Sequence, residues 1–128
     1  MFLTLAFFLS ELKPDFRSAL FNLALMLVNN LNKPLDAVPY LETLLLHYPT
    51  HSKGLILMGD ININHLHNAA AAEHHYLSIL SREPGNIQAK HNMCVVYVEQ
   101  GLLYRAEACL VETHVLAPQE QYVVLIFY

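Results

Sequence analysis

The eight histidines of this 128-residue chain have the most evident chemical potential, because imidazole nitrogens are common zinc ligands. His65 and His67 flank one leucine, and His74 and His75 lie a short distance downstream. Zinc requires three or four converging ligands, whereas two adjacent residues of a helix point about 100° apart. The sequence contains no HExxH motif. We therefore expect solvated histidines and no metal site.

Nucleophilic chemistry has no support in the sequence. Cys94 and Cys109 do not form a CxxC pair, and no serine lies in a G-x-S-x-G context. The four glycines are too scattered for a phosphate-binding loop, so no cofactor is expected. Cys94 recurs at a small-residue packing position described below, which favours a buried free thiol. We expect no catalytic residue in this chain.

The elements that carry these residues are organised by a period in the prolines. Pro14, Pro49, Pro84 and Pro118 are spaced by 35, 35 and 34 residues, and each closes an apolar segment. A fixed period of this length is typical of stacked helical repeats. Because proline ends a helix, each one marks the end of a repeat.

Small residues recur with the same period, and they allow two helices to approach closely. They form two series, one in each helix of a repeat: Ala24, Gly59 and Cys94, then Ala37, Ala72 and Ala106. The two series are separated by 13 residues in the first two units and by 12 in the third. The first two inter-helix turns are therefore predicted to be one residue longer than the third.

A helix-turn-helix unit of about 34 residues resembles the tetratricopeptide repeat. The third unit, "NIQAKHNMCVVYVEQGLLYRAEACLVETHVLAP", fits that motif best, with Tyr97, Gly101 and Leu110 at its expected positions. We predict an all-α, right-handed superhelical array of about three repeats with partial flanking helices. The predicted repeats are 17–50, 51–85 and 86–120, between the end of a truncated preceding repeat (or a spurious N-terminus) at 1–16 and the start of a truncated helix at 121–128.

Three stretches go beyond a generic repeat: "DFRSALFNLALML", "PLDAVPYLETLLLHYPTHSKGLILMGDI" and "NIQAKHNMCVVYVEQG". They resemble the C-terminal repeat region of the transmembrane and tetratricopeptide-repeat-containing (TMTC) family. The resemblance implies an endoplasmic-reticulum membrane protein that transfers mannose from dolichyl-phosphate mannose to serine or threonine, with cadherins as acceptors. It also implies that a luminal repeat array handles acceptor or partner proteins. Only the array is matched, so no catalytic residue is carried over, and the terminal "VVLIFY" departs from the family pattern.

Composition limits the partners. A net charge of −4 without a basic cluster argues against nucleic acid, because nothing would neutralise a row of phosphates. The apolar stretches Phe2–Leu9 and Tyr122–Tyr128 are too short to span a bilayer, so no membrane span is expected. Phe2–Leu9 also lacks the basic flank and cleavage site of a signal peptide. With 55% apolar and 14% charged residues, the chain is unusually apolar for three repeats. This composition is expected of a fragment whose end faces are covered by neighbouring repeats.

A concave groove is the candidate binding site, since the first helix of each repeat lines the inner surface of such an array. The register directs nine residues inward: Phe21, Asn22, Leu25, Ile56, Asp60, Ile63, His91, Asn92 and Val95. The same positions could instead pack against a neighbouring segment. A carboxylate would find little counter-charge there, which argues against the acidic C-termini of Hsp70 and Hsp90. An apolar or mixed extended protein segment is the better match.

The sequence therefore predicts a protein-binding module. The resemblance places it in the endoplasmic reticulum, in acceptor or partner recognition for an O-mannosyltransferase. Two alternatives remain open at this point: a freestanding cytoplasmic adaptor without a link to glycosylation, and a non-functional gene fragment.

Overall fold

The computed structural model describes residues 16–117, and within them it contains helices and no strands. The six helices run in this order: α1 (Phe16–Asn29), α2 (Pro34–His47), α3 (Ser52–Asn64), α4 (Ala69–Arg82), α5 (Ile87–Glu99) and α6 (Leu103–Leu116). The prediction of an all-α helical array is confirmed. Pro14, Pro118 and the predicted partial helices lie outside the described residues, apart from Phe16, which begins α1.

The helices form three pairs: α1 with α2, α3 with α4, and α5 with α6. Residues 30–33 connect the two helices of the first pair, residues 65–68 those of the second, and residues 100–102 those of the third. The first two turns are thus one residue longer, as predicted. Asn32 and His67 both have φ of 52° in the longer turns, and Gly101 has φ of 75° in the shorter one. Asparagine and histidine are among the residues that adopt this left-handed conformation more readily than most.

The small residues of the periodic pattern lie where helices cross. All six members of the two series are buried: Ala24, Gly59, Cys94, Ala37, Ala72 and Ala106. Leu20, Leu41 and Leu44 fill the space beside them in the first pair and are 0% exposed. Close packing of this kind places small residues against large ones. Pro49 and Pro84 follow the ends of α2 and α4, in agreement with their predicted role as helix terminators.

Helix α3 lies at the centre of the array. Nine of its 13 residues are buried, and it contributes to all three apolar clusters of the described core. Met58 packs with the first helix pair, Ile63 with α4 and α5, and Ile56 with Ile79 and Ala89. Its buried Asn62 is satisfied locally, since Nδ2 donates to the Met58 carbonyl at 2.9 Å.

Cys94 and Cys109 form a disulfide that joins α5 to α6. The expected free thiol is therefore wrong, although Cys94 is buried as predicted. Cys109 lies one helical turn after Ala106, on the side of α6 that faces α5, and the two Cα atoms are 5.4 Å apart. This separation lies within the usual range for a disulfide. No helix within residues 16–117 is both long enough and apolar enough to cross a bilayer.

Candidate functional site

First helices of all three pairs contribute to a groove on one side of the array. Phe21 and Leu25 of α1 face Ile56 and Asp60 of α3, and Gln88 of α5 closes the far end. The cavity has a volume of about 310 Å³. Asn29, Lys53 and Leu57 complete its lining. Four of the nine residues predicted to face inward thus meet in one groove.

The N-cap residue of α3 contacts the apolar wall of the groove. The His51 ring lies 5.3 Å from the Phe21 ring, measured between centroids. His51 also caps α3, because its Nδ1 accepts a hydrogen bond of 3.0 Å from the Gly54 amide. Burial, followed by the nearby Arg17 charge, lowers the His51 pKa, so the neutral ring that this cap requires is favoured.

Asp60 provides the polar part of the groove. Tyr76 Oη donates to Asp60 Oδ1 at 2.5 Å, and Asn92 Nδ2 donates to the same oxygen at 2.8 Å. Neither of these bonds uses Oδ2. Burial raises the Asp60 pKa, while the Tyr76 hydrogen bond acts in the opposite direction. Asp60 therefore keeps one acceptor oxygen for a donor that enters the groove.

Tyr76 reaches Asp60 only because position 59 is glycine. A Cβ atom on Gly59 would lie 2.5 Å from Cε1 of the Tyr76 ring, which is closer than real Cβ contacts allow. The ring is 1% exposed and spans the crossing of α3 and α4. Burial, together with the Asp60 charge, raises the Tyr76 pKa, so this hydroxyl remains a donor. Tyr76 follows Ala72 by four residues, as Leu41 follows Ala37 and Leu110 follows Ala106, and this recurring position gives no sign of the hydrogen bond.

The remaining predicted residues lie around the groove in different ways. Ile63 is 8% exposed and packs among core residues of α4 and α5, with Val95 against the same cluster. Asn22 is exposed on α1, and His91 is partly buried, which lowers its pKa. Asn92 contributes through its bond to Asp60. The predicted set thus contains groove residues, core residues and residues such as Asn22 that belong to neither.

Lys53 and Gln88 are groove residues that the sequence pattern did not identify. Each lies in the first turn of its helix, where polar residues are usually solvated. A signal was available, because Lys53 precedes Ile56 by three residues and Gln88 is its equivalent 35 residues later. Lys53 and Asp60 are the charged residues among the described lining, so the groove is close to neutral overall.

Metal binding has no site in the described part of the chain. Within residues 16–117, no three histidine, cysteine, aspartate or glutamate side chains come together in a group that could hold a metal ion. His74 and His75 contact each other on α4, and burial lowers the His75 pKa. Within residues 16–117 the helices form a groove, and no such group of metal ligands lies in it.

Sequence comparison identifies relatives of this chain. It is 55% identical over 113 residues to protein O-mannosyl-transferase Tmtc3 of Drosophila melanogaster, and 52% identical over 113 residues to human TMTC3. Each match covers 88% of this chain and 12% of the relative. The mouse TMTC3 match is 54% identical over 73 residues, or 57% of this chain and 8% of the relative.

This chain therefore corresponds to about an eighth of the length of the fly and human proteins. No protein-family model matches it, and no solved structure matches it. The expected relationship to the TMTC family is confirmed by the sequence identity alone.

Proposed function

We propose that this chain, which belongs to the TMTC family of protein O-mannosyl-transferases over its 113 matched residues, forms tetratricopeptide repeats that bind an acceptor or partner protein. We assign the repeats to residues 17–50, 51–85 and 86–120. In this proposal the mannosyl transfer itself is carried out by another part of a longer protein. The relatives' name and the coverage of an eighth of their length support this division.

The groove between α1, α3 and α5 is the observation that carries the proposal. Its wall of Phe21, Leu25 and Ile56 suits an apolar side chain, and Asp60 Oδ2 suits a hydrogen-bond donor beside it. An extended segment supplies both, because its backbone amides are donors and its side chains alternate in direction. An acidic C-terminus suits the groove less well, since Lys53 is balanced by Asp60.

An oxidising compartment is the second part of the proposal, and we assign the repeats to the lumen of the endoplasmic reticulum. The Cys94–Cys109 disulfide supports this assignment, because disulfides persist in that compartment and are rare in the cytosol. The disulfide thereby disfavours the cytoplasmic adaptor, which would keep both thiols reduced.

Peptide selection tests the groove. A random 12-residue peptide library, displayed on phage, is selected against the 128-residue chain. We expect enriched peptides that are rich in apolar residues and that bind Leu25→Asp at least tenfold more weakly. Met26→Asp is the matched control, because Met26 is the next residue of α1 and is 50% exposed. Equal binding to Leu25→Asp, with helicity retained by circular dichroism, would show that the groove is not the binding site.

Cell fractionation tests the cellular context. An antibody against residues 65–81 should detect a large protein that requires detergent for extraction and is found in endoplasmic-reticulum fractions. A soluble band near 14.6 kDa would instead support a freestanding adaptor related to the family by ancestry.

A further inference from the structure

Helix α6 has an exposed apolar stripe, of which Ala108 also lines a groove shared with α4 and α5. The stripe consists of Tyr104, Ala108, Val111 and Val115, with spacings of four, three and four residues. Tyr104 is 91% exposed, Val115 73% and Val111 46%. The opposite side of α6 carries its buried residues: Ala106, Leu110 and Thr113. α6 is therefore apolar on two opposite sides, and only one of them carries buried residues within the described range 16–117.

The stripe has the spacing of a coiled-coil seam, in which apolar residues alternate three and four positions apart. The other second helices interrupt it with polar residues or proline. The equivalent positions are Ala70, His74, Leu77 and Ser81 on α4, and Leu35, Pro39, Glu42 and Leu46 on α2. Among the second helices of the described region, a continuous exposed seam is thus specific to α6.

Three charged residues and a histidine border the seam in a self-complementary order. Arg105 and Glu112 lie along one edge, and Glu107 and His114 lie along the other. In an antiparallel pair of identical helices, each edge faces the same edge of the other copy. Arg105 then lies opposite Glu112 of the second copy, and Glu107 lies opposite His114. A parallel pair would bring Glu107 towards Glu112, which is repulsive.

Glu112 is already positioned for this contact. Its carboxylate is bound by Lys90 at 3.2 Å, and its side chain remains 67% exposed. An ionised carboxylate has two acceptor oxygens, so Glu112 can accept a second cation beside Lys90. Arg105 is exposed and has no ion pair within the described residues.

We propose that the outer face of α6 binds α6 of a second copy of this chain, antiparallel and about a two-fold axis. The seam is about 16 Å long at 1.5 Å per residue, which is short for a stable interface. The dimer is therefore weak, with a dissociation constant of about 10 µM or higher. The inner groove lies on α1, α3 and α5, so a dimer through α6 leaves it open, and this inference does not depend on the proposed function.

Sedimentation equilibrium of the non-reduced 128-residue chain, at concentrations up to about 200 µM, tests the dimer. Val111→Asp should raise the dissociation constant at least tenfold, because it places two carboxylates in the apolar seam. Leu77→Asp is the matched control, because Leu77 is the α4 equivalent of Val111 and has nearly the same exposure, 48%. A wild-type chain that stays monomeric at the highest concentration overturns the proposal, as does equal weakening by both substitutions.

A charge exchange tests the antiparallel geometry. Arg105→Glu alone and Glu112→Arg alone should each weaken the dimer, because each places like charges opposite one another. The double variant restores an opposite-charge pair and should return most of the lost affinity. Circular dichroism confirms that each variant is folded. A double variant that remains as weak as the worse single variant would overturn the antiparallel arrangement.

Discussion

The second and third helix pairs fill the same crossing in different ways. In the second pair, Gly59 leaves space for the Tyr76 ring, whose hydroxyl binds Asp60. In the third pair, Cys94 and Leu110 occupy the equivalent positions, and a covalent bond from Cys94 to Cys109 joins the two helices. The first pair has neither device at this crossing and packs Ala24 beside Leu41.

One of these devices stabilises a single helix pair, whereas the other connects two neighbouring pairs. The disulfide joins α5 to α6 and stays within the third pair. The Tyr76 hydroxyl shares an Asp60 oxygen with Asn92 of α5, so the second pair is connected to the third across the groove. The small-residue position of the first helix can thus support a link between pairs when it is glycine, or a link within one pair when it is cysteine.

Removal of the disulfide should have the largest effect on stability. Its sequence separation is 15 residues, and a loop of that length predicts a loss of about 3 kcal/mol on removal. The double substitution Cys94→Ala with Cys109→Ala should therefore lower the free energy of unfolding by about 3 kcal/mol in urea denaturation. Dithiothreitol should destabilise the wild type and leave the double variant unchanged. If the reductant has no effect on the wild type, the cysteines are not paired.

Replacing the Gly59–Tyr76 crossing of the second pair by the alanine–leucine crossing of the first pair should have an intermediate effect on stability. Gly59→Ala forces a Cβ atom into the Tyr76 ring and should cost about 1–3 kcal/mol, although alanine favours helix more than glycine does. Tyr76→Leu alone should also destabilise the chain, because it leaves a cavity and removes the bond to Asp60.

The double variant recreates the Ala24–Leu41 pair of the first crossing, so its loss should be smaller than the sum of the two single losses. Urea denaturation of all four chains measures this coupling, which should be about 0.5–3 kcal/mol. Strict additivity would contradict the packing of Tyr76 on Gly59.

Acidification should have the smallest effect. Burial lowers the pKa of His51, His75 and His91 in the folded chain, so the unfolded chain binds more protons near the ordinary histidine pKa of 6.5. Stability is therefore fully present above pH 6.5 and falls as the pH decreases through 6.5 towards the lowered values. Urea midpoints at about pH 7.5 and 5.5 measure the loss.

His51→Asn provides the control for this pH dependence. Asn86 occupies the equivalent position 35 residues later and caps α5 by accepting from the Ala89 amide at 3.0 Å. Asparagine at position 51 should keep the cap and remove one titrating group, so the difference between the two midpoints should shrink. The raised pKa of Asp60 acts in the opposite direction, because protonation of that carboxyl favours the folded state. An unchanged pH dependence would show that His51 does not contribute.

The sequence period predicted the architecture because the same positions pack helix against helix in every repeat. The spacing from Ala24 to Ala37, compared with that from Cys94 to Ala106, was enough to predict the longer first turn. The lining of the groove follows the helical stripe only in part. Ile63 shares the helical stripe of Ile56 and Asp60, but Met93 and Val96 of α5 pack with it and it belongs to the core. The stripe alone does not show where a neighbouring helix begins to cover it.

The disulfide and the Asp60 network depend on side chains that lie far apart in the sequence. Cys94 was interpreted as one more small residue, although Cys109 follows Ala106 by one helical turn on the face that meets α5. Tyr76 occupies the position of Leu41 and Leu110, and the smallest of the small residues, Gly59, faces it. Both signals were present in the sequence. They can be recognised only when the residue that packs against each position is known.

The burial of α3 on nearly all sides has a consequence for folding cooperativity. Ideal repeat arrays lose their units one after another, because each repeat contacts only its neighbours. Here α3 belongs to every apolar cluster of the described core, so unfolding of either flanking pair would expose one apolar face of α3 to solvent. Such half-covered states are costly and sparsely populated. The described helices should therefore melt in a single transition, despite the linear order of their repeats.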